Sequence, residues 1–227
     1  TREQADRAIA AGAKFIVSPG FNPKVVSHCI EKNIPITPGI SSPSDMEQAI
    51  EMGLDAVKFF PAVPSGGLSM IKALAAPYHT MRFMPTGGVT PQNLTEFLDY
   101  PKILACGGTW MVKPELLATG NFEEITRLTR QTVRTMLDLK IDELTLPFPH
   151  TGNNLSDALH GLINLSSGST KELTISCRYL KRTIYHLEKN GATFRYDNAK
   201  YDSAGNMDAI DFSDAPEEFS IRLIEKR

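Results

Sequence analysis

The chain has 227 residues, of which 41% are hydrophobic and 22% are charged, and its mean hydropathy is −0.19. These values are typical of globular proteins and exclude the disordered, collagen-like and membrane-embedded classes. Lys and Arg total 24 against 26 Asp and Glu, so no basic excess indicates a nucleic acid partner. Because no apolar run approaches the roughly 18 residues of a membrane span, we expect no membrane association. A chain of this length has room for one large domain or two small ones.

The three cysteines, Cys29, Cys106 and Cys177, lie far apart in the sequence. Their odd number and wide spacing argue against a disulfide framework and a zinc cluster, so we expect a reducing, cytoplasmic location and no metal. The first residues contain no signal peptide and no initiator Met, and Thr1 and Gln4 have the spacing of a helix capping box. We therefore expect either processing at Thr1 or a fragment of a longer protein.

Five short apolar segments ending in Gly or Pro recur along the first 108 residues, and helical patterns lie between them. Two of these helices are predicted to begin at Ser42-Pro43 and Thr90-Pro91, because Pro is favoured at the first position of a helix. Continuously apolar strands separated by single helices predict a parallel sheet covered by helices. The segments are KFIVSPG (14–20), IPITPG (34–39), AVKFFPA (56–62), RFMPTGG (82–88) and ILACGG (103–108).

This strand and helix repeat fits either a doubly wound open sheet or a closed (β/α)₈ barrel. Polar and glycine residues gather after the carboxyl ends of the strands, an arrangement that favours the mouth of a barrel. The sequence therefore predicts an α/β fold in which residues 1–139 supply about five strands of a (β/α)₈ TIM barrel. About three more strands are expected before Thr1.

Lys58 is the first candidate for chemistry, because it lies in an apolar strand between Val57 and Phe59. Burial disfavours the charged ammonium and lowers its pKa, which leaves an uncharged amine able to attack a carbonyl carbon and form a Schiff base. An edge-strand lysine with its ammonium in solvent is the alternative.

Two glycine-bearing loops, Thr86-Gly87-Gly88 and Gly107-Gly108-Thr109, follow the last two predicted strands. Glycines at such positions expose backbone N–H groups, so the pair predicts a phosphate cradle at the mouth of the barrel. The alternative is that the glycines only permit tight turns between strand and helix.

In order and spacing, the five segments resemble those of the 2-dehydro-3-deoxy-phosphogluconate (KDPG) aldolases, also called KDPG/4-hydroxy-2-oxoglutarate aldolases. The resemblance extends to about residue 139. It implies a (β/α)₈ barrel, a homo-oligomer that is usually a trimer, and a class I aldolase that needs neither a metal nor another cofactor. The implied substrate is a phosphorylated 2-keto acid: KDPG is cleaved to pyruvate and glyceraldehyde 3-phosphate. 4-Hydroxy-2-oxoglutarate is a second implied substrate.

By this resemblance Lys58 of VKFFPA is the Schiff-base lysine. The family's general acid/base, a Glu on the second barrel strand, has no counterpart in the sequence and is expected upstream of Thr1. The resemblance also implies contacts with the substrate and its phosphate from the pocket wall and the two glycine loops. These residues are Pro38, Gly39, Phe60, Thr86, Gly87, Gly88, Gly107, Gly108 and Thr109.

The last ninety residues follow a different pattern. Residues 140–170 are rich in Pro, Gly and Ser and predict an irregular linker, whereas 171–227 predict a strand, a helix and three strands. This βαβββ order resembles one module of the glyoxalase, or vicinal oxygen chelate, fold. The His and Glu ligands of that fold are not preserved, and His150, His160 and His186 have no ligand spacing. We expect a structural or interaction module here.

Two other functions fit parts of the sequence. A catalytically impaired aldolase homologue could bind a phosphorylated ligand or assemble with partners, which the missing Glu-bearing strand favours. An isomerase or synthase on a phosphate-binding barrel would have similar glycine loops, but it does not explain a lysine in VKFFPA.

Overall fold

The computed structural model describes residues 1–146, 164–167, 171–215 and 219–226. They divide into two compact units, Thr1–Thr132 and Val133–Arg227. Within these described ranges, no helix combines the length and the hydrophobicity needed to cross a membrane.

Strands and helices follow one another up to Leu98, as the repeat predicts, and two more helices come after it, the last of which continues into the second unit. The helices are α1 (Arg2–Ala10), α2 (Pro23–Glu31), α3 (Pro43–Glu51), α4 (Gly67–Ala75), α5 (Leu94–Leu98), α6 (Pro114–Ala118) and α7 (Phe122–Leu137). The strands are β1 (Ile16–Val17), β2 (Ile36–Thr37), β3 (Gly39–Ile40), β4 (Ala56–Phe59) and β5 (Arg82–Pro85).

Side-chain caps fix the starts of the first helices. Thr1 and Gln4 form the predicted capping box of α1, and Ser42 forms a second one with Asp45 at the start of α3. Each box provides hydrogen-bond partners for backbone N–H groups that a helix end leaves unpaired.

Helix α5 begins at Leu94, later than Thr90-Pro91 predicts. The side chain of Asn93 accepts the N–H of Thr90 at 2.8 Å and donates to the carbonyl of Gly88 at 3.1 Å. These two bonds hold residues 90–93 in a turn, so the helix starts after it.

The parallel strands follow one another in chain order. Strand β1 pairs with β2, β3 with β4 and β4 with β5, while Pro38 separates β2 from β3 within one predicted strand. The fifth predicted strand, 103–108, is reduced to two parallel bridges, from Phe83 to Ile103 and from Thr86 to Gly107. A doubly wound sheet reverses its strand order, whereas each new strand here joins on the same side. The first unit is therefore a partial TIM-type barrel.

One face of this curved sheet packs against helices. Ile36 belongs to a buried cluster with Ala5, Val26 and Cys29 of α1 and α2. Side chains alternate along a strand, so Gly39, three residues after Ile36, lies on the opposite face of the sheet. Lys58 is in register with Gly39 and lies on that face too, which is the lumen of a barrel. At the outer edge of β1, Phe15 and Val17 are 58% and 39% exposed.

The second unit is a mixed sheet of six strands in the order β7-β6-β8-β11-β10-β9. Its helix, α8 (Leu180–Lys189), packs on the sheet around the buried side chains of Cys177, Ile210 and Leu223. The strands are β6 (Lys140–Leu146), β7 (Asn164–Ser167), β8 (Lys171–Cys177), β9 (Phe194–Tyr201), β10 (Met207–Phe212) and β11 (Phe219–Glu225).

The predicted βαβββ order is present from β8 to β11, but the sheet also contains strands within the segment that predicts a linker. Strand β6 pairs antiparallel with β8, which places Ile141 beside Ile175 and Leu144 beside Leu173. Such pairing with a strand thirty residues away is not encoded in local turn residues. Of residues 147–170, only β7 (Asn164–Ser167) is among the described residues, so His150 and His160 lie outside them. The likeness to a glyoxalase module stays a prediction.

Candidate active site

Lys58 lies in the middle of β4, where its N–H donates to the carbonyl of Pro38 at 2.9 Å. Its side chain is half-buried, and burial lowers its pKa from the ordinary value of 10.5. The ammonium nitrogen is 4.6 Å from the ring centroid of Phe60, and no described side chain forms an ion pair with it. Without a carboxylate to stabilise its charged form, the amine loses its proton more readily than an exposed lysine.

The wall beside Lys58 is built from backbone in close contact. Gly39 is opposite Lys58 in the sheet, and a side chain at 39 would collide with the carbonyl of Pro19. Pro38 is buried. The structure thus brings Pro38, Gly39 and Phe60 to Lys58, and it adds Pro19, which sequence reasoning did not single out.

The loop after β5 is fastened to the loop after β4. The N–H groups of Ala62 and Val63 donate to the carbonyls of Thr86 and Gly87 at 2.7 and 3.0 Å. Gly87 and Gly88 have φ angles of 92° and 82°, a left-handed conformation that favours glycine. These contacts hold the loop close to the ring of Phe60, which lies 3.3 Å from the position of a Cβ on Gly87.

Gly107 lies beside Thr86, but its backbone does not act as the sequence predicts. Its N–H donates to the carbonyl of Pro85 at 2.9 Å and is therefore not available to an anion. A Cβ on Gly107 would lie 2.5 Å from Oγ1 of Thr86, so the glycine makes room for that hydroxyl. Oγ1 of Thr86 is itself buried and has no hydrogen-bond partner among the described residues.

Gly108 is needed for a different reason. A side chain at this position would overlap the benzene ring of Trp110, and Trp110 Nε1 donates to Oγ1 of Thr132 on α7 at 3.1 Å. Sequence reasoning missed Trp110; the aromatic residue two positions after a Gly-Gly pair was the available signal.

Four backbone N–H groups in the two glycine loops have no hydrogen-bond acceptor among the described residues. Unpaired N–H groups in glycine-rich loops are the donors that bind phosphate in many proteins. The four belong to Gly87, Gly88, Gly108 and Thr109.

Thr37 is a third residue that the predicted site does not include. It follows Ile36 on β2, which pairs with β1, and is therefore on the lumen face, opposite to Ile36. Its Oγ1 is buried without a described hydrogen-bond partner. A threonine in an otherwise apolar strand was the only signal for it.

Three carboxylates that precede Lys58 in the sequence have other partners. Asp45 caps α3, Asp55 forms an ion pair with Arg82, and Glu47 accepts the hydroxyl of Tyr78 at 3.4 Å. Among the described residues, no three His, Cys, Asp or Glu side chains are grouped as a metal site would need. Because Asp45, Asp55 and Glu47 each have another partner, none of them is placed as an acid/base for Lys58.

The chain is similar to known aldolases over its first unit. It is 52% identical over 134 residues to the 2-dehydro-3-deoxy-phosphogluconate aldolase of Treponema pallidum, covering 59% of this chain and 64% of that protein. It is 37% identical over 131 residues to the KHG/KDPG aldolase of Escherichia coli K12, covering 58% and 62%. The chain thus spans less than two thirds of the length of these relatives.

A solved structure has the same arrangement. The KDPG aldolase of Legionella pneumophila, with pyruvate captured as a covalent carbinolamine intermediate, superposes with a TM-score of 0.56 at 35% identity, covering 58% of this chain and 64% of that one. The sequence profile of the KDPG and KHG aldolases matches residues 1–128, the part that holds Lys58 and both glycine loops. The chain belongs to the KDPG and KHG aldolase family.

Proposed function

We propose that this chain carries the Schiff-base site of a class I aldolase that cleaves KDPG to pyruvate and glyceraldehyde 3-phosphate. The observation that carries the proposal is Lys58, a partly desolvated amine without a described carboxylate partner, on the lumen face of a partial barrel. The covalent carbinolamine of pyruvate in the Legionella pneumophila relative supports the same chemistry here. 4-Hydroxy-2-oxoglutarate, cleaved to pyruvate and glyoxylate, is a second proposed substrate.

The reaction begins when the uncharged Lys58 amine adds to the C2 carbonyl of the substrate. Loss of water from the carbinolamine gives a protonated imine, which accepts the electron pair of the C3–C4 bond as the C4 hydroxyl loses its proton. The aldehyde then leaves and an enamine remains on Lys58. A proton adds to C3, and water hydrolyses the imine to release pyruvate. Because the imine is the electron sink, no step in this scheme requires a metal.

The surroundings of Lys58 favour its first step. Burial lowers the pKa of Lys58, so a larger fraction is uncharged at neutral pH than for an exposed lysine. The ring of Phe60 lies 4.6 Å from the nitrogen of Lys58 and forms part of its surroundings. The proton transfers also need a general acid/base, which contributes about 10²–10⁴-fold to a rate. Asp45, Asp55 and Glu47 do not supply it, because each has another hydrogen-bond or ion-pair partner.

The glycine loops would hold the phosphate of the substrate. We propose that the N–H groups of Gly87, Gly88, Gly108 and Thr109 donate to the phosphate oxygens, because none of them has a described acceptor. Oγ1 of Thr86 is buried beside Gly107 without a described hydrogen-bond partner and would donate to the bound substrate. Gly107 contributes space for that hydroxyl instead of a donor.

Trapping with borohydride tests the proposal. Incubation with pyruvate followed by reduction should place a pyruvyl adduct on Lys58, and the pH midpoint of trapping should lie below that of an exposed lysine because burial lowers the pKa of Lys58. Mass spectrometry of proteolytic peptides locates the adduct. Lys58→Arg should abolish trapping, whereas the control Lys72→Arg, at an exposed lysine on α4, should leave it unchanged. An adduct elsewhere, or undiminished trapping in Lys58→Arg, would falsify the assignment.

A phosphate-binding protein without aldolase activity is the second candidate. It is favoured by the four N–H donors and by the other partners of Asp45, Asp55 and Glu47. Such a protein would bind inorganic phosphate but would not be labelled by pyruvate and borohydride, so the trapping experiment separates the two functions.

A further inference from the structure

Trp110 is held at both ends of its indole. The benzene edge, at Cε3 and Cζ3, lies where a side chain on Gly108 would project. At the opposite end, Nε1 donates to Oγ1 of Thr132 on α7 at 3.1 Å. The ring therefore connects the second glycine loop to Thr132, the last residue of the same unit.

The hydroxyl oxygen of Thr132 accepts the hydrogen bond from Trp110, because the hydroxyl proton is donated to another acceptor. The Thr132 hydroxyl donates to the carbonyl of Leu128 at 2.9 Å. Its oxygen therefore keeps its lone pairs for acceptance, and the indole N–H, which can only donate, is matched to it. The orientation of the ring follows from this pair of bonds.

The second glycine loop needs such support. Gly107 is tied to β5 through the carbonyl of Pro85, but the following N–H groups of Gly108 and Thr109 have no described acceptor that would orient them. Glycine has more backbone freedom than any other residue. Gly108 is not in the left-handed region, so space for the indole, and not its φ angle, is what requires glycine there.

We propose that Trp110 is a positioning residue for phosphate, anchored by Thr132: the indole holds the Gly108 backbone so that the N–H groups of Gly108 and Thr109 are oriented toward the anion. This inference rests on the phosphate site of the proposed function. Donors that are already oriented bind more tightly, because less conformational entropy is lost on binding. The chain's affinity for phosphate thus depends on a hydroxyl of α7 that itself contacts no phosphate.

Four variants of the full chain test this role, with inorganic phosphate as the probe and titration calorimetry as the measurement. Thr132→Val keeps the shape of the side chain but removes the acceptor, and Trp110→Phe keeps a ring without the N–H. Each should raise Kd about fivefold to tenfold, the range that corresponds to loss of one hydrogen bond. Thr132→Ser restores the acceptor and should return Kd to within about twofold of the unsubstituted chain.

Thr129→Val is the matched control. Thr129 lies on the same helix and donates to the carbonyl of Ile125 at 2.8 Å, the same bond that Thr132 makes to Leu128, so both valine variants lose one such bond. Thr129→Val should leave phosphate affinity unchanged. If Thr132→Val, Trp110→Phe and Thr129→Val all bind phosphate like the unsubstituted chain, Trp110 has no positioning role.

Emission gives a second readout, because Trp110 is the single tryptophan of the chain. Phosphate should change its fluorescence with the same Kd that calorimetry gives, and binding that leaves the emission unchanged would overturn the inference. A chain that is trapped by pyruvate and borohydride at Lys58 but does not bind phosphate would overturn this inference and leave the Schiff-base site intact.

Discussion

Gly87-Gly88 and Gly107-Gly108 look alike in the sequence, yet the structure requires glycine in them for different reasons. Gly87 and Gly88 have φ angles of 92° and 82°, whereas neither Gly107 nor Gly108 is left-handed. The second pair is instead required by neighbours, since a side chain would meet Oγ1 of Thr86 or the ring of Trp110. Identical residues in equivalent loops can thus satisfy a conformational need in one place and a need for space in the other.

The largest effect is expected for Gly108→Ala, because the methyl group would overlap a ring that is held by a hydrogen bond. We expect a loss of about 3 kcal/mol in the free energy of unfolding, the upper range for overpacking. Urea denaturation measures it. In a Trp110→Ala background the same substitution should cost little. An equal loss in both backgrounds would show that space is not the reason for glycine at 108.

Gly88→Ala should cost about 2 kcal/mol, because a left-handed conformation costs about 1–2 kcal/mol for a residue with a Cβ. The methyl group would also approach Cβ of Val63 at 2.5 Å. Denaturation in a Val63→Gly background, which lacks that Cβ, removes the contact and should recover only part of the loss. Full recovery would mean that the φ angle contributes nothing, and the contrast between the two pairs would fail.

Gly107→Ala should cost about 1–2 kcal/mol, since the methyl group would crowd the Thr86 hydroxyl and small overpacking is partly relieved by side-chain shifts. Removing the hydroxyl with Thr86→Ala should relieve it. A double-mutant cycle in urea is expected to give a coupling of about 1 kcal/mol between the two sites. Additive losses would count against the close contact.

Gly12→Ala should have the smallest effect, about 1 kcal/mol, because its φ of 94° is left-handed but no atom lies within 4 Å of the added Cβ. Gly12→Ala therefore measures the cost of the left-handed conformation alone, whereas Gly88→Ala adds a close contact with Val63. Gly12→Asn should cost less than Gly12→Ala, since Asn tolerates this region better. Trapping at Lys58 and phosphate binding should not change, and a loss as large as that of Gly88→Ala would undermine the comparison.

Local patterns in the sequence determined much of the first unit. Four of the five predicted apolar strands contain β1 to β5, with β2 and β3 in one of them, and the fifth, 103–108, is reduced to two bridges. The starts of α1 and α3 were predicted because capping depends on residues within one turn of each other. The lysine in an apolar strand pointed to Lys58, which stays a prediction. The order of the five segments pointed to the aldolase family, and the comparisons confirm the family for residues 1–128.

Only the tertiary structure decided which groups of the site are available. The N–H of Gly107 is used by Pro85, Gly108 lies under Trp110, and β6 joins the sheet of the second unit by pairing with β8. Each of these depends on residues brought together by strand pairing or packing from more than one element. Every residue except proline carries a backbone N–H donor, so whether that donor can bind an anion is decided by what the fold places opposite it.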